Sequence, residues 1–275
     1  MSTRSSRFVW TAAGSAVAAW ALFPVAWIVS LSLKVGDDVH SGRFLPAAPS
    51  LDNYRTVFAT DLFVSALRNS VVVSLGATLL SVTFASLAAY AIVRSELPGK
   101  RLLLALSLCT AMFPGVSLIG PLFELWRSVG LYDTWLGLIL PYTSFTLPLG
   151  IWALTAFFRQ LPWELEEAAQ IDGATRWQAF RKVMVPLAAP GVLTAAVLVF
   201  LFAWNDFLFG ISLTSTERSR PVPAALAFFT GASEFQHPTA AIAAAAVLVT
   251  LPVVAVALVF QRRITAGLGA GAVKG

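Results

Sequence analysis

Six stretches of this 275-residue chain run for about twenty residues or more with no charge, or with only one. Residues 8–33, 69–93, 102–123, 136–158 and 239–260 contain no Asp, Glu, Lys or Arg, and 191–213 contains only Asp206. A helix crosses the hydrocarbon of a bilayer in roughly 20 apolar residues. Lipid offers no partner to a peptide group, so such runs must be helices, and the alternation of a membrane β-barrel is absent. Composition agrees: 57% of residues are hydrophobic, 12% are charged and mean hydropathy is +0.77, whereas soluble domains carry about a quarter charged residues. The expectation is an all-α integral membrane protein, one transmembrane domain over 1–275 with six spans.

Arg4 and Arg7 precede the first run as they would a signal peptide, but the run is too long for one and carries Trp10, Trp20 and Trp27. It reads as an uncleaved first helix. An even number of spans places both termini on one side. That side carries twelve of the nineteen basic residues, among them Arg94, Lys100, Arg101, Arg159, Arg176 and Lys182; the acids favour the opposite side. By the positive-inside rule both termini are cytoplasmic, in the inner or plasma membrane of a bacterium. The net charge of +5 is then a membrane bias rather than a nucleic-acid footprint. Trp126 and Trp135 suit an interfacial belt, and Asp52 reads as the N-cap of a short surface helix. The lone Cys109 and the separated His40 and His237 form no metal-ligand cluster.

Residues 159–190 interrupt this apolar chain. Pro162 stands at a helix start, and Glu164, Glu166 and Glu167 fill the first turns, where the helix dipole favours acids. Gly173 supplies a left-handed stop. Thr175 to Gln178 spells a capping box opening a second helix, with Arg181 and Lys182 in its last turn and Pro186 at its end. Two short helices around a glycine corner result. Leu165, Ala168 and Ala169 share a face by i, i+3, i+4 spacing, the pattern of a helix laid in a partner's groove. The bland alternative is an amphipathic loop packed on its own bundle.

The segment resembles the EAA motif of permease subunits in ATP-binding-cassette importers. Glu167-Ala168-Ala169 is followed after three residues by Gly173, and after nine more by Val183-x-Val185-Pro186, with two conservative departures at Val183 and Val185. Residues 67–74, 97–103, 202–208 and 267–275 extend the resemblance to the MalG-like permeases of maltose-type sugar importers. The resemblance implies a type I importer (MetI-like) permease fold and the carriage of a di- or oligosaccharide, trehalose being favoured. It implies a heterodimer with a second permease, two ATPase subunits holding ATP and Mg, and an extracytoplasmic sugar-binding protein. It further implies that Glu166, Glu167, Ala168, Ala169, Asp172, Gly173, Arg181 and Pro186 form the coupling loop. Gly267, Gly269 and Lys274, in the cytoplasmic tail 261–275, would lie at the ATPase interface; a flexible glycine-rich terminus is the other reading.

The chain itself has no phosphate-binding loop. Its one Gly-Lys pair, Gly99-Lys100, has Arg94 where the first glycine belongs. It is therefore expected to bind no cofactor and to hydrolyse nothing. Trp204, Asn205 and Asp206 are candidates for the substrate path. Asp206 is equally placed to make a helix–helix hydrogen bond, or to serve a proton-coupled secondary transporter, a reading weakened by the lack of an internal repeat.

Overall fold

A computed structural model describes residues 2–96, 98–229 and 238–272, with side chains described between residues 9 and 260. Every regular element among the described residues is a helix. The chain divides into two units, Met1–Val64 with Leu226–Pro252, and Ser65–Ala225 with Val253–Gly275.

In the first unit, α1 (Ser2–Ser32) is a membrane-length helix. The 33–51 segment is fastened to its end by polar contacts. Lys34 is buried, donates to the Arg43 carbonyl and lies 5.3 Å from the Trp27 ring centre. Asn53 Nδ2 donates to the carbonyls of Ser32 and Lys34 at 2.9 and 2.8 Å. The short helix expected from Asp52 forms as α2 (Asp52–Phe58), but Leu51 holds the cap position. Asp52 instead takes the first helical turn and pairs with Arg55 at 3.1 Å.

α3 (Asp61–Arg94) starts eight residues before the run that the hydropathy pattern marks, because Asp61 is tolerated in a first turn. In the second unit the Thr78 hydroxyl returns to the Ser74 carbonyl at 2.7 Å and that of Ser86 to Val82 at 2.7 Å, which pairs them within the helix itself. α4 (Lys100–Ala111) and α5 (Ile119–Val129) replace the single span expected over 102–123. The axis turns by 82° where Pro114 and a 3-10 turn at Gly115–Leu118 intervene. α6 (Trp135–Phe158) instead runs unbroken through Pro141 and Pro148. It packs against α3 where Ser81 and Thr146 hydroxyls meet at 2.8 Å and where a Cβ on Gly150 would touch Ala85 at 3.0 Å, the small-residue contact by which membrane helices approach.

Next come α7 (Trp163–Ile171), α8 (Arg176–Ala179), a π-helical turn at Phe180–Met184 and α9 (Val185–Leu187). α10 (Ala189–Asn205) leaves at 75° to the helical path before it. α11 (Leu208–Leu213), α12 (Val222–Leu226) and α13 (Thr239–Ala272) complete the chain. Among the described residues four helices are long and apolar enough to cross a membrane, and up to six spans result when each bent pair counts as one.

Candidate functional site

The 159–190 loop is shaped by its own backbone bonds. Pro162 stands at the N-cap of α7. At the other end Gly173 has φ +90°; its amide donates to Gln170 and that of Ala174 to Ala169, at 3.0 and 2.9 Å. This pair is a Schellman closure, which needs a left-handed residue. A Cβ on Gly173 would meet nothing within 4 Å, so conformation rather than close approach demands glycine here. Thr175 and Gln178 form the expected capping box at 2.8 and 3.2 Å.

Pro186 does not end the second helix. Helical geometry continues through Leu187 and the chain turns at Ala188, while the π-helical turn lies just ahead of the proline. Proline lacks the amide an α-helix would use there. The π turn directs Phe180, Met184 and Ala188 inward, where they join Ala85, Ala89, Leu154, Phe158 and Ala195 in one core. The Phe180 ring packs at a tilt against Tyr90 and Trp177, with ring centres 4.7 and 5.4 Å away. Arg181 points outward and borders an apolar groove of about 690 Å³.

The three glutamates of α7 separate. Glu164 and Glu167 are exposed, as are Leu165, Ala168, Asp172 and Gly173; Ile171 is 86% exposed and Ala169 is half-buried. Glu166, grouped with them from its sequence, is 5% exposed and faces the bundle. Its Oε2 lies 2.9 Å from Arg94 Nε at the end of α3, and both side chains are almost fully buried. Its Oε1 accepts the Tyr90 hydroxyl at 2.6 Å. The Arg94 guanidinium also lies over the Trp163 ring, 3.7 Å from its centre. Tyr90 and Arg94 were missed by sequence reasoning, although their i, i+4 spacing at the end of a charge-free run puts both on one face of α3.

At the Asp206 break, α10 ends at Asn205 and Asp206 adopts extended geometry. Its Oδ2 accepts the Tyr142 hydroxyl at 2.7 Å and the amides of Phe209 and Gly210 at 3.0 and 3.1 Å. The carboxylate thus caps the short helix that follows and ties it to α6. The 191–213 run is a broken segment, not one continuous helix. Trp204 is 2% exposed and stacks on Phe200, whereas Asn205 is exposed and donates to Leu201 at 2.8 Å. In the tail, Gly267 and Gly269 are carried within α13, and Lys274 and His237 lie outside the described residues.

A third carboxylate organises the loops near the start of α6. Asp133, at φ 58°, accepts from the amides of Ser215 and Thr216 at 2.9 and 3.2 Å and from the hydroxyls of Thr216 and Ser219 at 2.6 and 2.5 Å. Burial pushes its pKa upward, but the Ser219 and Thr216 hydroxyls and the two amides together hold it below the usual carboxylate value.

A chain of broken apolar helices with an outward-facing loop has the features of a transport permease. The chain belongs to the binding-protein-dependent transport system inner membrane components, whose pattern matches residues 81–269. It is 54% identical to the trehalose transport system permease protein SugB of Mycobacterium tuberculosis (strain CDC 1551 / Oshkosh), over 97% of each chain. It is 39% identical to the trehalose/maltose transport system permease protein MalG of Thermococcus litoralis, over 92% of each. A bacterial ABC transporter that imports the acidic polysaccharide alginate contains a chain of the same fold. Its TM-score is 0.81 at 26% identity, with 95% of this chain and 97% of that one covered. The chain is accordingly a non-catalytic permease subunit of the inner membrane, and the ATPase is a separate subunit.

Proposed function

We propose that this subunit forms half of the translocation pathway of an ATP-driven importer for a di- or oligosaccharide, trehalose foremost, together with a second permease. Two ATPase subunits carrying ATP and Mg drive it, and an extracytoplasmic binding protein delivers the sugar. Both termini and the 159–190 loop lie in the cytoplasm, and the tail with Gly267, Gly269 and Lys274 runs along the ATPase. The observation that carries this reading is the outward face of α7. Leu165, Glu167, Ala168 and Ile171 are exposed on a helix that starts at Pro162 and is closed at its other end by the Gly173 and Ala174 amide bonds. An exposed apolar face beside an acid, on a loop outside the apolar runs, is a surface for docking. Glu167 pairs with a basic residue of the ATPase, while Gly173 fixes the corner. The sugar assignment rests on the trehalose relatives.

Asp206 holds the α10–α11 break closed rather than lining the path, since one oxygen already receives three donors. Of the three path candidates, Asn205 is the one exposed. The same occupancy removes the motive for a proton-coupled carrier. Co-purification of the tagged chain with an ATPase, and loss of labelled trehalose uptake in Glu167→Lys, are the expected results. Intact uptake in that variant would sink the docking role.

A further inference from the structure

We propose that the Arg94–Glu166 pair is the linkage through which displacement of α7 reaches the membrane helix α3, making both of them positioning residues for transport. This rests on the docking reading of the loop but concerns its opposite face. Two kinds of contact hold the loop to the bundle. Phe180 and Met184 make apolar contacts, which are non-directional and tolerate sliding. The grip on Glu166 is directional: Arg94 lies 2.9 Å from one oxygen, and the Tyr90 hydroxyl is 2.6 Å from the other. The Tyr90 hydrogen bond to the carboxylate fixes geometry, and the close Arg94 charge adds to the energy of the grip.

The grip is also two-sided. Arg94 meets α7 at two positions one turn apart, Glu166 by charge and Trp163 by stacking at 3.7 Å. Tyr90 and Arg94 stand one turn apart on α3. Two points on each helix define an orientation as well as a separation, so α7 cannot rotate or shift without carrying the end of α3. All three guanidinium nitrogens of Arg94, and Oε2 of Glu166, are buried with no hydrogen-bond partner among the described residues, so the pair is held by charge and nothing else there competes for the guanidinium. α3 is a single helix from Asp61 to Arg94, and its Ser81 contact with Thr146 passes the displacement to α6. The other ion pair among the described residues, Arg55–Asp52, is exposed and lies within one helix turn, with nothing to transmit.

The test uses the intact complex of both permeases, the ATPases and the binding protein in proteoliposomes. The variants are Glu166→Gln, which keeps the shape, and Arg94→Met. Sugar moved per ATP hydrolysed should fall about tenfold in each while the ATPase still co-purifies, a typical magnitude for a coupling between sites. Arg94→Lys, which keeps the charge, should recover part of the loss. Unchanged coupling in Glu166→Gln overturns the proposal, and so does loss of the ATPase from the variants, which would make the pair a mere structural clamp. If Arg94→Met fails to insert, Glu166→Gln decides alone. A wild-type complex lacking an ATPase would instead refute the docking reading itself.

Discussion

Glu166 and Asp206 are carboxylates that each accept a tyrosine hydroxyl, from Tyr90 at 2.6 Å and from Tyr142 at 2.7 Å. Their remaining partners differ. Asp206 turns back on its own chain, to amides three and four residues ahead. Glu166 faces a buried guanidinium more than seventy residues away in sequence. The first arrangement shapes a local break and needs an acceptor. The second joins two elements and needs a charge. An acid in an apolar chain therefore carries no single meaning, and what distinguishes the two is whether the compensating group is a backbone dipole nearby or an opposite charge on another helix.

The strongest way to break this comparison is to remove one member of the ion pair. Arg94→Ala or Glu166→Ala leaves a buried charge uncompensated, which costs about 3–5 kcal/mol. Thermal unfolding of the detergent-solubilised complex should show a large loss for either single change. The double change Arg94→Met with Glu166→Leu should cost less than the sum of the single changes, because no charge is left stranded. Additive losses would mean that the two groups do not act as a pair.

Asp206 should respond to acceptor loss rather than charge loss. Asp206→Ala strands the Tyr142 hydroxyl and two amides and is expected to cost about 3 kcal/mol, since each buried unmade hydrogen bond carries a penalty of at least about 1 kcal/mol. Asp206→Asn keeps an oxygen for those donors, and complex yield and uptake should stay near wild type. Uptake that disappears in Asp206→Asn while the complex assembles would restore a role in the path or in proton coupling.

Much of this was legible in the sequence because the physical signals are local. Charge-free runs mark the helices at 136–158 and 239–260, and glycine with the capping box marks the corner of the loop. The breaks were not legible. Pro114, Pro141 and Pro148 look alike in sequence, yet only Pro114 coincides with a bend. Whether a proline interrupts a membrane helix depends on what satisfies the freed carbonyl, which is a tertiary matter. Likewise, spacing alone does not say which of Glu164, Glu166 and Glu167 turns inward; Tyr90 and Arg94 decide it from another part of the chain. In sequence Asp206 reads equally as path or packing, because the hydroxyl and the amides that meet its carboxylate are brought there by the fold.

Gly173 tests whether the corner or the ion pair sets the direction of α7. Gly173→Ala places a Cβ at φ +90°, a strain of about 1–2 kcal/mol. Uptake should drop moderately, with the ATPase bound less tightly in pull-down. Gly173→Asn should do less harm, because asparagine tolerates left-handed geometry better. Equal uptake in Gly173→Ala would mean that the Arg94–Glu166 grip alone orients the helix.

The smallest effect belongs to Asp133, which repeats the acceptor chemistry of Asp206 outside the apolar runs, where water can replace the donors. Its carboxyl is held below 3.8 by hydrogen bonds from Ser219, Thr216 and Ser215 that outweigh burial. A depressed carboxylate contributes stability that is fully present above its unfolded value and is lost as pH falls through the lower folded value. The clamp on 214–220 should therefore be intact at neutral pH and throughout mild acid, and should loosen only below about pH 3.8. Asp133→Asn keeps the left-handed backbone but loses one acceptor oxygen and the charge. The expected cost is about 1 kcal/mol, modest because the group is only partly buried and solvent screens it. Limited proteolysis of 214–220 should then be faster in the variant at pH 7, and the two proteins should converge at the acid end. A pH response in the variant as steep as the wild type's would assign the titration to another group. Set beside Asp206→Ala, the ratio of the two losses measures what removal from water adds to the same acceptor chemistry.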